Sequence, residues 1–212
     1  MRQNEIEIMY VDDRISYIKA TENPLSADVG IIRGDTGYWI FDVGNTEESA
    51  QYINKLQGRK NIILSHFHPD HTGNLHKICE RHVYLGKNTF GYINEGEIIA
   101  DTRVFRDGVK IKIFPMPSTH AKGSMAMEVN EKVMFVGDAL YANVRKNLYG
   151  YNVQLLKEAI EIIKSSPAEY IFLSHREKPL QKKNVVLKWM EGIYDGRKPG
   201  EPFVKAKEIS SQ

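Results

Sequence analysis

Residues Ser65-His66-Phe67-His68-Pro69-Asp70-His71-Thr72-Gly73, SHFHPDHTG, put three of the chain's seven histidines and one aspartate into six consecutive positions. Neutral imidazole and carboxylate are the donors that a borderline-soft ion such as Zn²⁺ takes. In an extended segment side chains alternate with a period of two, so His66 and His68 point to one side and one ion can use both. Pro69 then breaks the strand and turns the chain, which directs Asp70 and His71 toward a second position a short distance away. The preceding apolar run, NIILSH (61–66), reads as a buried strand. The cluster therefore falls on a loop at a strand end, where α/β folds commonly place their chemistry.

Each ion needs further donors, and three are placed in the same way. His120 ends FPMPSTH (114–120), Asp138 lies in FVGDAL (135–140) and His175 ends IFLSH (171–175). All follow apolar runs of strand character, so one shared sheet edge can gather His66, His68, Asp70, His71, His120, Asp138 and His175. His76 and His82 sit within or beside the helical segment after the cluster and read as structural or solvated.

The rest of the pattern is that of an α/β chain. IEIMYV (6–11) with ISYIKA (15–20), and VGIIRG (29–34) with YWIFDVG (38–44), read as β-hairpins, the second joined through Gly34-Asp35-Thr36-Gly37. In NTEESAQYINKLQ (45–57) Thr46 caps a helix with two glutamates in its first turn and Ala50, Ile53 and Leu56 on one face. TGNLHKICERH (72–82) reads as a further helix holding a small buried thiol at Cys79, followed by the strand HVYLG (82–86). VKIKIFPMPSTH (109–120), SMAMEV (124–129) and KVMFVGDAL (132–140) are strands, with Asn130-Glu131 at a turn. Helices are expected over NVQLLKEAIEIIKSS (152–166), with Val153, Leu156, Ile160 and Ile163 on one face, and around NVVLKWMEGIY (184–194). No linker or low-complexity run interrupts the chain, so 1–212 is expected to be one domain with a peripheral tail from about 195.

The balance of 29 basic against 27 acidic residues gives no strong field and leaves no case for nucleic acid or a membrane surface as partner. The N-terminal stretch has no signal-peptide core, no segment offers a membrane-length apolar run, and a lone cysteine cannot form an internal disulfide. A cytoplasmic protein acting on a small molecule is the expectation. In YANVRKNLYGYN (141–152), Arg145, Lys146, Tyr149 and Tyr151 fall on a loop near the metal edge, either solvated or facing an anionic or acyl substrate. Exposed aromatics at Tyr149 and Tyr151 could line a substrate cleft or a homodimer contact.

HFHPDH resembles the H-x-H-x-D-H signature of the metallo-β-lactamase superfamily. His120, Asp138 and His175 follow in the order and approximate spacing of its two-metal hydrolases. FDVGN around Asp42 resembles its D-x-G loop, and THAKGS its GHTPGS segment, with Ala121 and Lys122 in place of Thr-Pro. The resemblance spans about residues 28 to 176. It implies an αββα sandwich of two mixed sheets with outer helices and the metals at one edge. It also implies one site of His66, His68 and His120, another of Asp70, His71 and His175, Asp138 between them, and Asp42 as an outer carboxylate holding the ligand loop.

A hydroxide held between two divalent ions is a competent nucleophile near neutral pH, with Asp70 or Asp138 to move its proton. The expected activity is hydrolysis of an ester-like bond (lactone, thioester or phosphodiester) with two ions, zinc first and iron or manganese as other fits. Within the superfamily, departures narrow the choice. Asp138 stands where zinc β-lactamases carry cysteine or no bridging carboxylate, the stretch after His175 is short for the glutathione-binding region of glyoxalase II, and no long basic arm of the tRNA-maturing members is present. Tyr141 matches a tyrosine three residues after the bridging aspartate in acyl-homoserine lactonases, where it donates to the substrate carbonyl; the other reading is a packing aromatic. Two further classes compete: a persulfide dioxygenase-like enzyme with one iron on His66, His120 and Asp138, and a metal-stabilised binding protein without turnover. His68 argues against the flavodiiron branch, which usually carries glutamate there.

Overall fold

Residues 6–145 and 148–206 are described by a computed structural model of the chain. The first half lays down β1 (Ile8–Tyr10), β2 (Ile15–Ile18), the short hairpin of β3 (Thr21–Glu22) and β4 (Leu25–Ser26), then β5 (Val29–Arg33) and β6 (Gly37–Phe41). Helix α1 (Glu47–Lys55) leads into β7 (Arg59–Ile63), the one-turn α2 (Pro69–Thr72), β8 (Arg81–Leu85), α3 (Lys87–Ile93) and β9 (Glu97–Ile98). The second half supplies β10 (Arg103–Arg106), β11 (Lys110–Met116), β12 (Ser124–Val129), β13 (Val133–Gly137), β14 (Asn143–Arg145), β15 (Leu148–Asn152) and α4 (Val153–Ser165). It ends with β16 (Tyr170–Leu173), β17 (Leu180–Lys182), α5 (Lys183–Asp195) and β18 (Phe203–Lys205).

Two mixed sheets result. One has the order β1-β2-β5-β6-β7-β8-β9 and the other β10-β11-β12-β13-β16-β17. The period-two alternation of the strands explains how they stack. In β7, Ile62 faces the α1 side with Ile40 and Ile53, whereas its neighbour Ile63 faces the second sheet. In β13, Phe135 faces the first sheet, while Met134 and Val136 face Leu156, Ile160 and Ile163 of α4 and Met190 of α5. Three apolar layers thus separate helices, sheet, sheet and helices, the expected αββα sandwich. Val153 is only partly buried on that helix face, as its first-turn position allows. Among the described residues no helix is long and apolar enough to cross a membrane.

Local signals act as read. The Thr46 side chain accepts from the Ser49 amide at 3.2 Å, and Asn130 and Glu131 both turn through the left-handed region. One expectation fails. TGNLHKICERH forms no continuous helix: a single 3-10 turn at Leu75–Lys77 buries Leu75, and Cys79 beyond it is exposed rather than a buried thiol. Asn74 donates to the Val43 and Thr46 carbonyls at 3.2 and 2.7 Å, and the Cys79 amide donates to Asn54 Oδ1 at 3.0 Å. These outside partners, and Glu80 at positive φ, release the chain into β8 after one turn. The tail is a wrap over 203–205, where β18 pairs with β15.

The C-terminal ends of the sheets converge because loops tie them together. The Met125 amide donates to the Ser65 carbonyl at 2.8 Å, and the Asp28 amide donates to Ser174 Oγ at 3.1 Å, each linking one sheet to the other. At the end of β13, Gly137 sits at φ +53°, and a Cβ there would meet Ser65 Cβ and Oγ at 2.7 Å. Gly137→Ala should therefore destabilise the fold by about 1–3 kcal/mol through backbone strain and collision together. Denaturant unfolding of the purified variant measures this, and an unchanged midpoint would contradict the close approach.

Candidate metal centre

Four loop segments bring the seven predicted donors to one edge. His68 is the N-cap of α2 and Pro69 its first residue, so the chain turns immediately after the extended His66-Phe67-His68 run. That turn is clamped from both sides, the Ala27 amide donating to the Asp70 carbonyl at 3.0 Å and the Val43 amide to the His71 carbonyl at 2.9 Å. His120, Asp138 and His175 arrive from the loops after β11, β13 and β16.

Two groups form. In one, His66 Nε2 lies 2.9 Å from His68 Nδ1, which lies 3.1 Å from His120 Nε2. In the other, His175 Nε2 stands 3.0 Å from Asp70 Oδ2 and 3.3 Å from His71 Nε2, while His71 Nε2 is 3.3 Å from Asp70 Oδ2. Asp138 Oδ2 lies between the groups, 3.4 Å from His71 Nε2 and 3.5 Å from His120 Nε2. Donors held about 2.0–2.1 Å from a tetrahedral ion stand about 3.3 Å apart, so both sets are spaced for an ion. Asp138 Oδ1 is buried with no hydrogen-bond partner. An uncompensated buried carboxylate oxygen is costly, and a cation satisfies it. The residues present thus fit two metal ions.

The buried ring of His71 shows how the donors are aimed. Asp42, fully buried at φ +61°, accepts from the Ser65 amide at 2.7 Å on one oxygen and faces His71 Nδ1 at 2.7 Å with the other. Burial opposes a charge on His71, but the neighbouring carboxylates Asp42 and Asp138 outweigh it and raise its pKa well above the ordinary imidazole value. His66, by contrast, is held neutral by burial and by the imidazoles around it. Burial would raise Asp70 and Asp138, yet the facing histidines keep both carboxylates below their usual range.

His175 depends on residues the sequence did not single out. Asp28 is buried and accepts from the His175 amide at 2.9 Å and the Ala20 amide at 3.0 Å, while Ser174 Oγ lies 3.3 Å from its second oxygen. His175 itself sits at φ +61°. Burial pushes the Asp28 carboxyl up despite those donors. An aspartate just before an apolar strand reads locally as a turn residue, and nothing near it in sequence announces a partner so far along the chain. Ser65, whose Oγ lies 2.9 Å from His66 Nδ1 and 3.3 Å from His71 Nδ1, is equally silent.

The remaining candidates fall elsewhere. The Tyr141 hydroxyl donates to the Ser174 carbonyl, next to His175, and the Arg176 guanidinium lies 5.5 Å from its ring centroid. Burial raises its pKa, which keeps it a neutral donor. Tyr151 is not an exposed aromatic: it is 4% exposed in the helix-side core, its hydroxyl donating to the Leu140 carbonyl at 3.2 Å. Tyr149, two residues earlier and on the same face of β15, is 47% exposed, so burial here follows position along the strand, Tyr151 lying at the end that leads into α4. Arg145 lies at the end of β14, and Lys146 lies outside the described residues. His76 is exposed, and His82 faces Glu97 at 3.3 Å, both away from the donors.

Comparison with known proteins gives a consistent picture. Residues 23–86, which include Asp42 and the SHFHPDHTG stretch, match the family model of the metallo-beta-lactamase superfamily. A search of curated sequences returns no significant match. Among solved structures, a metallo-beta-lactamase from Pontibacter korlensis superposes with TM-score 0.68 at 15% identity, covering 88% of this chain and 99% of that one. An archaeal metallo-beta-lactamase superfamily protein from Sulfolobus tokodaii gives 0.65 at 16% identity over 94% and 92%. A flavoprotein from Thermotoga maritima gives 0.68 at 14% identity over 94% of this chain and 64% of its own.

Two results are expected from this geometry. Asp42→Asn replaces the oxygen facing His71 or Ser65 by an amide nitrogen, and metal affinity measured against a competing chelator should fall about 10–100-fold with the circular dichroism spectrum retained. Unchanged affinity would remove Asp42 from the site. Because ligation needs neutral His71 and His175, whose pKa values are raised without metal, Zn²⁺ binding should release protons and tighten as pH rises through neutrality. Calorimetric heats that do not vary with buffer ionisation enthalpy would contradict this.

Proposed function

The chain carries the fold of the metallo-β-lactamase superfamily, and from that premise we propose that it is a metal-dependent hydrolase of an ester-like bond in a small molecule, with two divalent ions, zinc foremost. The observation that carries the reading is Asp138 Oδ2 placed between a three-histidine group and a second group of Asp70, His71 and His175. Four donors in the second group favour two ions over a single iron on His66, His120 and Asp138. Bound there, divalent ions would lower the pKa of water toward about 7 and polarise an acyl or phosphoryl oxygen.

The chain's own groups then have defined tasks. His66, His68 and His120 would hold one ion and Asp70, His71 and His175 the other, with Asp138 between the two groups. Asp70 and Asp138 are ionised at neutral pH, so either can accept a proton from the attacking group and return it to the leaving oxygen or sulfur. Asp42 fixes the His71 ring, and Asp28 and Tyr141 fix the backbone that presents His175. In this reading Tyr141 acts by positioning, and reaching a substrate carbonyl would require it to leave Ser174.

Elemental analysis of protein purified without added metal or chelator should give about two ions per chain, matching the two donor groups. His68→Ala and Asp138→Asn should lose metal and turnover together on a panel of lactones, thioesters and phosphodiesters. One iron per chain with oxygen-dependent persulfide oxidation would replace this reading, as would a His68→Ala protein with full metal content and full turnover.

A further inference from the structure

We propose that the cleft running from His120 to the C-terminal wrap binds the body of the substrate, and that this body is an aliphatic chain carrying an anionic group. Binding is argued from the cleft alone; that the bound molecule is a substrate rests on the hydrolase reading. The cleft has a volume of about 1560 Å³ and is bounded at one end by His120 and its loop and at the other by residues 196–205. Drug-sized ligands occupy roughly 300–1,000 Å³, so the space suits a molecule extending well away from the metals.

Its walls are apolar for a specific reason. Helix α4 turns Leu156, Ala159, Ile160 and Ile163 into the core, while Leu155, one position earlier, is half-buried, takes no part in that core and lines the cleft. Phe203 on β18 lines the same space and is 50% exposed. Two large apolar side chains kept partly in water around one concavity mark a binding surface better than they serve stability. The charges around them are chiefly positive: Lys122, Lys198 and Lys205 against Glu201. Lys198 lies 3.8 Å from Glu201, while Lys122 is exposed in the THAKGS segment and has no carboxylate partner among the described residues. An apolar trough with unneutralised ammonium groups favours an amphipathic anion over a neutral chain or a cation.

Decanedioate and acetate, titrated calorimetrically into the zinc-loaded full chain, separate the possibilities, because both bring a carboxylate to the metals and one also brings a chain with a second anionic group. Decanedioate should bind more than about tenfold tighter. Leu155→Glu puts a carboxylate at the third position of α4, which a helix start accepts, and Lys122→Glu changes an exposed residue; each should weaken decanedioate about tenfold and leave acetate unchanged. Equal affinity for the two anions, or decanedioate binding that neither variant alters, overturns the proposal. Chain-dependent binding lost in both variants upholds it even if no ester is turned over, whereas turnover without chain-dependent binding upholds only the hydrolase.

Discussion

The centre depends on one buried carboxylate. Asp42 ends β6 with both oxygens committed, one to the Ser65 amide and one to the His71 ring. Those two partners bracket the whole SHFHPDHTG loop, so a single fully buried group fixes both where the loop begins and how its last ligand is turned. Charge-assisted bonds of this kind are strong in a low-dielectric interior, and removing one partner leaves a buried charge without compensation. The left-handed backbone at Asp42 is tolerated because both contacts over-determine it.

The second half reaches the same edge by a different device. Asp28, on the first sheet, grips the Ser174-His175 backbone at the end of the second, and the Tyr141 hydroxyl caps the Ser174 carbonyl. Three strand ends at the site carry positive φ, at Asp42, Gly137 and His175, each costing about 1–3 kcal/mol where the residue is not glycine. The sandwich absorbs this because apolar layers flank both sheets, so strain at one edge is held by packing elsewhere. Bringing Asp70, Asp138, His71 and His175 together without metal adds protonated imidazoles to offset the carboxylates, and so ties the chemistry of the site to its assembly.

What the sequence made readable was whatever is periodic or local. The alternation of His66 and His68, the break at Pro69, the Thr46 cap and the apolar faces of α1 and α4 are all properties of neighbouring residues. Each of the seven donors also follows an apolar strand, which is why their convergence could be inferred without knowing the sheet order. The failures are tertiary. The helix expected through Cys79 is stopped by Asn74 and Asn54 bonding outside it, and Tyr151 is buried because the end of β15 that leads into α4 packs on the helix-side core. Asp28 carries no local mark of its partner, since the bond it makes crosses between sheets.

The hydrogen-bonding contacts around the centre also orient the imidazole rings. His71 faces Asp42 with Nδ1 and turns Nε2 toward Asp70 and Asp138. His66 faces Ser65 Oγ with Nδ1, which turns its Nε2 toward the three-histidine group. His68 is reversed, with Nδ1 pointing inward. Three ring nitrogens converge at spacings of 2.9 and 3.1 Å, and one cation would take a lone pair from each neutral ring turned this way. The outer contacts therefore aim the donor nitrogens at two shared points, and Ser65, touching His66 and His71 at once, links the two groups.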